Sequence, residues 1–124
     1  MFKLSGKRPS DLGVKGGKFT AAKTWKPNWV NSQADTGDAH YVAPLKGAVA
    51  AVATVVKGME RSVIVEQKDN YLYAEFSTAL MGFTDDVEFT GDGQVLHVRS
   101  SSRLGVRDFD VNRKRVEAIR AALG

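Results

Sequence analysis

The sequence predicts an α+β domain: a four-stranded antiparallel sheet, built as two hairpins, with two helices packed on one face and a long irregular N-terminal arm. Three observations predict it. Between Ser62 and Ser100, apolar and polar residues alternate with a period of two, and turn residues interrupt the alternation. On either side, apolar residues recur at three- and four-residue spacing. The first 44 residues show neither period but carry recurring aromatic anchors. A chain of 124 residues suffices for one domain with a real core. Its division is an extended arm, 1–44, packed on an α-β-β-β-β-α core, 45–124.

In the arm, Gly6, Pro9, Gly13, Gly16, Gly17, Pro27 and Pro44 punctuate a stretch anchored by Phe2, Leu12, Phe19, Trp25, Trp29 and Tyr41. A disordered tail holds few aromatics, so the arm reads as ordered, and long irregular segments of this kind are often functional. Lys46 to Lys57 reads as a helix, because Val49, Val52, Val55, Val56 and Met59 form one stripe; its many valines keep two strands open as an alternative. Ser62–Lys68 and Tyr71–Ser77 flank an Asp69-Asn70 turn. Asp86–Phe89 and Gln94–Ser100 flank Thr90-Gly91-Asp92-Gly93. Alternation puts Leu72, Ala74 and Phe76 on one face and Tyr71, Tyr73 and Glu75 on the other. The last helix starts at Asp110, a good N-cap, and buries Val116, Ile119 and Leu123.

Composition narrows the chemistry. The net charge of +4 is mildly basic, and the absence of cysteine excludes disulfides, thiolate catalysis and cysteine-held zinc. The longest apolar stretch, Gly47 to Val56, is too short to span a bilayer, and the first residues lack the apolar core of a signal peptide. The chain as given therefore reads as cytoplasmic. The two histidines stand 57 positions apart with no metal-ligand spacing, and phosphate-loop motifs are absent, so neither metal nor cofactor is expected. Aromatics beside lysines, as Trp25 and Trp29 stand beside Lys23 and Lys26, can stack on bases, but core anchors with lysines at the rim account for them, and no nucleic-acid partner is expected.

The densest feature is the segment from Arg99 to Arg115. Six cationic side chains fall within seventeen residues, joining a predicted strand to a predicted helix. Arg99, Arg103, Arg107 and Arg113, with Ser100 and Ser102, form a candidate anion site, since guanidinium forks and hydroxyls grip phosphates and carboxylates. The competing account pairs these arginines with Asp85, Asp86, Glu88, Asp108 and Asp110 inside the fold. A second candidate is the polar sheet face carrying Tyr73, Glu75, Glu88 and His97, which, if uncovered, suits a polar ligand. A third is a hydrolase with His40 or His97 as base and Glu75, Glu88 or Asp86 as acid. Ser32 with His40 and Asp35 or Asp38 is its one local nucleophile grouping.

Three blocks resemble a known family. They are Gly6-Lys7-Arg8-Pro9 through Leu12-Gly13-Val14; Pro27-Asn28-Trp29-Val30-Asn31-Ser32-Gln33 with His40-Tyr41-Val42-Ala43-Pro44-Leu45; and Ala74-Glu75-Phe76, Gly82-Phe83-Thr84-Asp85-Asp86-Val87-Glu88-Phe89 and Val98-Arg99-Ser100 through Arg120. Together they resemble the bacterial and plastid family catalogued as domain of unknown function 1499. The resemblance implies a small single domain, in relatives often exported, membrane-attached or fused to transmembrane segments, and it brings no established activity. The present sequence departs from many relatives in lacking an export or membrane segment and a cysteine pair around the Pro-Asn block, where Lys23 and Trp29 stand. The expectation is a non-enzymatic module that binds a small anionic or polar ligand or a protein partner, with the hydrolase and a purely structural role as rivals.

Overall fold

The computed structural model describes residues 6–20, 25–78, 82–105 and 108–124. Its elements in chain order are β1 (Val14–Lys15), β2 (Lys18–Phe19), β3 (Trp29–Asn31), β4 (Leu45–Lys46), α1 (Val49–Lys57), β5 (Ser62–Lys68), β6 (Tyr71–Ser77), β7 (Thr84–Gly91), β8 (Val95–Ser102) and α2 (Val111–Leu123). The four long strands β5 to β8 are the two expected hairpins, and each pairs antiparallel with the next. The expected four-stranded sheet is nevertheless six-stranded, with a separate two-stranded ribbon of β1 and β2. The two extra strands come from the arm. β3 pairs antiparallel with the end of β8, with Val30 opposite Ser100, and β4 pairs with its beginning, with Leu45 opposite Leu96. They cap an edge of β8 that would otherwise present unpaired backbone groups. Strands of two and three residues are too short to show alternation, so the pattern that revealed β5 to β8 left them invisible.

Both helices lie on one side of the sheet. Val49, Val52, Ala53 and Val56 of α1 and Val116 and Ile119 of α2 join Leu72, Ala74, Phe76, Val87, Phe89, Leu96 and Val98 in a single buried cluster. The first helix starts three residues later than its periodicity suggests. Lys46 is spent in β4, and Gly47 turns the chain at φ +121°, a conformation that favours glycine. The second starts as expected, but its cap differs. Asp110 is left-handed (φ 66°) and makes no side-chain capping bond. The Asp108 carboxylate takes the amides of Asp110 (2.9 Å) and Asn112 (3.2 Å) instead. At the opposite sheet edge, β5 bulges between Ile64 and Glu66, which leaves Val65 out of the ladder and 40% exposed.

Candidate functional site

The register of the long strands builds a continuous row of polar side chains on the face away from the helices. Tyr73 stands opposite Glu88 and Glu75 opposite Asp86; across the next ladder Glu88 stands opposite Arg99 and Thr90 opposite His97. Glu88 and Arg99 are each 1% exposed. The Arg99 guanidinium donates to Glu88 Oε1 through both Nε (2.8 Å) and Nη2. Glu88 Oε2 accepts from the Tyr71 hydroxyl (2.7 Å) and the Gly13 amide (2.6 Å). A second carboxylate centre lies beside it. Arg103 grips Asp86 with a fork, Nε to Oδ2 and Nη2 to Oδ1, both 2.9 Å. The Tyr73 hydroxyl donates to Asp86 Oδ1. Arg103 also reaches Glu75 at 2.6 Å, and Arg8 binds the same oxygen.

This face is not open, as the alternation alone suggested. Residues 6–20 lie across it. Besides the Gly13 amide on Glu88, the Phe19 ring sits 4.9 Å from the Arg99 guanidinium carbon, and Arg99 Nη2 approaches the Asp11 carbonyl at 3.4 Å. Gln33 fixes the ribbon from below: its Oε1 accepts from the Phe19 amide (3.0 Å) and its Nε2 donates to the Gly17 carbonyl (2.8 Å). Buried charge of this kind is tolerated where it is paired and hydrogen-bonded, as Glu88, Arg99 and Asp86 are.

The environment shifts the titrating groups accordingly. Burial, reinforced by hydrogen bonds to Glu88 and Asp86, pushes the Tyr71 and Tyr73 phenols well above their ordinary value. Burial pushes the Glu75 carboxyl up, but hydrogen bonds from Arg8, Tyr73 and Arg103 outweigh it and hold it below the usual glutamate range. The Asp86 hydrogen bond raises Arg103 further above its already high value.

The candidate anion residues are divided between two faces. Arg99 and Arg103 belong to the polar face just described. Ser100 and Ser102 lie on the helix side, where Ser100 Oγ donates to Asn112 Oδ1 (2.6 Å) and Asn112 Nδ2 donates to Ser102 Oγ (2.9 Å). Arg115, outside the candidate anion set, completes that cluster by donating to Asn112 Oδ1 (2.8 Å) and Asp85 Oδ2 (2.7 Å). The other oxygen of the buried Asp85 carboxylate meets no donor among the described residues. Arg113 donates to the carbonyls of Tyr41 and Ala39, both at 2.8 Å. Arg107 and the arm anchor Phe2 lie outside the described residues. The structure thus gives Arg99, Arg103, Arg113 and Arg115 internal acceptors. Lys114 is exposed, and its ammonium has no partner among the described residues.

The grouping around His40 also differs from its sequence reading. His40 stacks on Trp29 (3.7 Å between centroids, 8° between planes) and its two ring nitrogens face Asp38 Oδ1 (2.8 Å) and the Lys26 carbonyl (2.9 Å). Ser32 pairs with His97, Oγ to Nδ1 at 2.9 Å, a contact between residues 65 positions apart that no local spacing could show. Ser32 is 5% exposed, and its Oγ already accepts the Val98 amide at 2.9 Å. Among the described residues no carboxylate hydrogen-bonds the His97 ring, and no group of three or more histidine and carboxylate side chains could hold a metal.

Two of the clefts that border these networks stand out. The larger, about 570 Å³, opens where the ribbon meets β5 and β6, between Gly13, Gly16 and Gly17 on one side and Tyr71, Tyr73 and Lys68 on the other. The second, about 450 Å³, lies at the other side of the sheet beside the start of α2. Among the described residues no helix is long and apolar enough to cross a membrane. No curated protein and no solved structure matches the chain. A family model described as protein of unknown function (DUF1499) matches residues 21–123, and the chain belongs to that family.

Proposed function

We propose that the domain is a non-enzymatic ligand-binding module and that the cleft between the N-terminal ribbon and β5–β6 takes a small polar molecule carrying an anionic group. The observation that carries this reading is the construction of the cleft wall. Tyr71 and Tyr73 have their hydroxyls committed to Glu88 and Asp86. Their rings, 8% and 4% exposed, are therefore held rigid in the wall of a cleft of about 570 Å³. Arg8, paired with Glu75, and Lys68, paired with Glu66 at 2.9 Å, stand at its rim with more than half of each cationic side chain exposed, so an anion can compete for them. The left-handed Gly16 and Gly17 bring backbone close without side chains, with nothing within 4 Å of the positions their Cβ atoms would take. Catalysis by Ser32 is less well supported, because its oxygen is buried and already accepts an amide.

Chemical-shift mapping of the isotope-labelled protein with a panel of sugar phosphates, nucleotides and dicarboxylates tests the reading. Binding should move the amides of Gly13, Gly16, Gly17, Asn70 and Tyr71, and Val65→Trp, which fills the cleft from the bulge, should abolish the shifts while the remaining spectrum stays folded. A panel with no binder, or shifts centred elsewhere, defeats it.

A further inference from the structure

The structure points to a second site, and we propose that the cleft beside the start of α2 binds an anion bearing a short apolar tail. Its floor is apolar: Met59, Phe76 and Val111 line about 450 Å³ of space. Its rim carries three cations, Arg61, Lys114 and Arg115, against the carboxylate of Glu60. The three cations differ in what they are free to do. Arg115 is committed to Asp85 and lies over the Phe76 ring at 4.8 Å, so it shapes the wall. Arg61 pairs with its neighbour Glu60 at 3.0 Å, but on an exposed surface, where such a pair contributes little and is readily exchanged. Lys114 has no partner among the described residues. Within the dense basic segment it is the described cation with charge unspent, and it faces an apolar-floored hollow.

A second observation concerns the backbone. Arg61 holds a left-handed conformation (φ 58°), which is unfavourable for a residue with a side chain. Its carbonyl accepts the Ser77 amide at 2.9 Å, which anchors this strained residue to β6 at the cleft rim. Ser77 and Thr78 line the same rim, the Thr78 hydroxyl accepting the Phe83 amide at 2.9 Å. A charged head with a purely polar body would leave the part-exposed Met59 and Val111 uncovered; an apolar tail would cover them above the buried Phe76 while the head meets Lys114 and Arg61. A medium-chain carboxylate and the headgroup region of an anionic lipid share this chemistry.

Calorimetry with decanoate, and sedimentation with vesicles of phosphatidylcholine with and without phosphatidylglycerol, separate the two sources. Lys114→Gln lies on an exposed helix face, and Arg61→Gly suits the left-handed backbone, so both variants should fold. Decanoate binding that weakens about tenfold in each variant supports a free amphipathic carboxylate. Sedimentation with the anionic vesicles alone, without decanoate binding and with the same sensitivity to both variants, supports the lipid. The proposal falls if neither probe binds, or if binding is indifferent to Lys114→Gln and Arg61→Gly. A Val65→Trp variant with intact decanoate binding keeps this result separate from the ribbon cleft.

Discussion

Arg99 and Glu88 form an ion pair across adjacent strands, with each residue 1% exposed and the carboxylate closed on its other side by the Gly13 amide and the Tyr71 hydroxyl. Removing one partner from such a pair leaves an uncompensated charge in the interior. Arg99→Met should cost about 3–5 kcal/mol in urea unfolding. Glu88→Gln in the Arg99→Met background should recover part of that loss, because the amide oxygen still accepts from Tyr71 and Gly13 without the stranded charge. Additive losses in the two single variants and the double variant would refute the coupling.

Arg103 is a different case, because geometry matters more than charge. Its Nε and Nη2 reach the two oxygens of Asp86 together while Nη2 also meets Glu75. A lysine keeps the charge but cannot present the fork. Arg103→Lys should cost about 1–2 kcal/mol, and Arg103→Met more, measured by the same unfolding curves. Equal stability of the wild type and Arg103→Lys would show that the fork contributes nothing.

The helix-side cluster turns on Asn112, which is fully buried and joins Ser100, Ser102 and the Asn28 carbonyl. Asn112→Ala strips these groups of partners at once and should cost about 1–3 kcal/mol. Asn112→Asp adds a negative charge near Asp85 while replacing the Nδ2 donor, and it should be the worse of the two at neutral pH. Thermal unfolding of both variants checks the order.

What the sequence disclosed follows from the range of its signals. Tyr73, Glu75 and Glu88 share a face because alternation is local to each strand, and β5 to β8 are long enough to show it. Asp85 and Asp86 differ by one position and therefore serve opposite faces, one bound to Arg115 and the other to Arg103. Composition merges such neighbours into a single acidic cluster facing a single basic one. The pairing of Ser32 with His97 and the Gly13 amide on Glu88 depend on how the arm crosses the sheet. Neither leaves a trace in residue spacing, and Gly13 contributes only backbone. Asp108 replaced Asp110 as the cap of α2 because Phe109 and Asp110 both turn left-handed, a local departure that the type of residue does not announce.

Gly91 offers a test of close packing. A Cβ there would lie 2.3 Å from the Val95 carbonyl oxygen and 3.1 Å from Leu96 Cα, both backbone atoms of the partner strand. The backbone itself must move to admit a methyl group. Gly91→Ala should destabilise by about 1–3 kcal/mol. Amide exchange should accelerate first in the β7–β8 hairpin; a wild-type exchange pattern would show that the turn has room.

The polar face also dictates how stability follows pH. Tyr71 and Tyr73 are held above their ordinary value of 10.0, so folding favours the protonated phenols. Their contribution is complete below that value and is lost as pH rises beyond it, where the unfolded chain releases protons that the fold retains. Glu75 has the opposite sign. Its folded carboxyl lies below its ordinary value of 4.5, so its contribution is present above that value and fades as pH falls through the folded one. Urea midpoints measured across the pH range should therefore decline at both ends. Tyr71→Phe should flatten part of the alkaline limb and leave the acid limb unchanged, whereas Glu75→Gln should flatten the acid limb and also trim the alkaline one, because Glu75 accepts from the Tyr73 hydroxyl. A variant that lowers stability evenly at every pH would show that its side chain acts through packing alone.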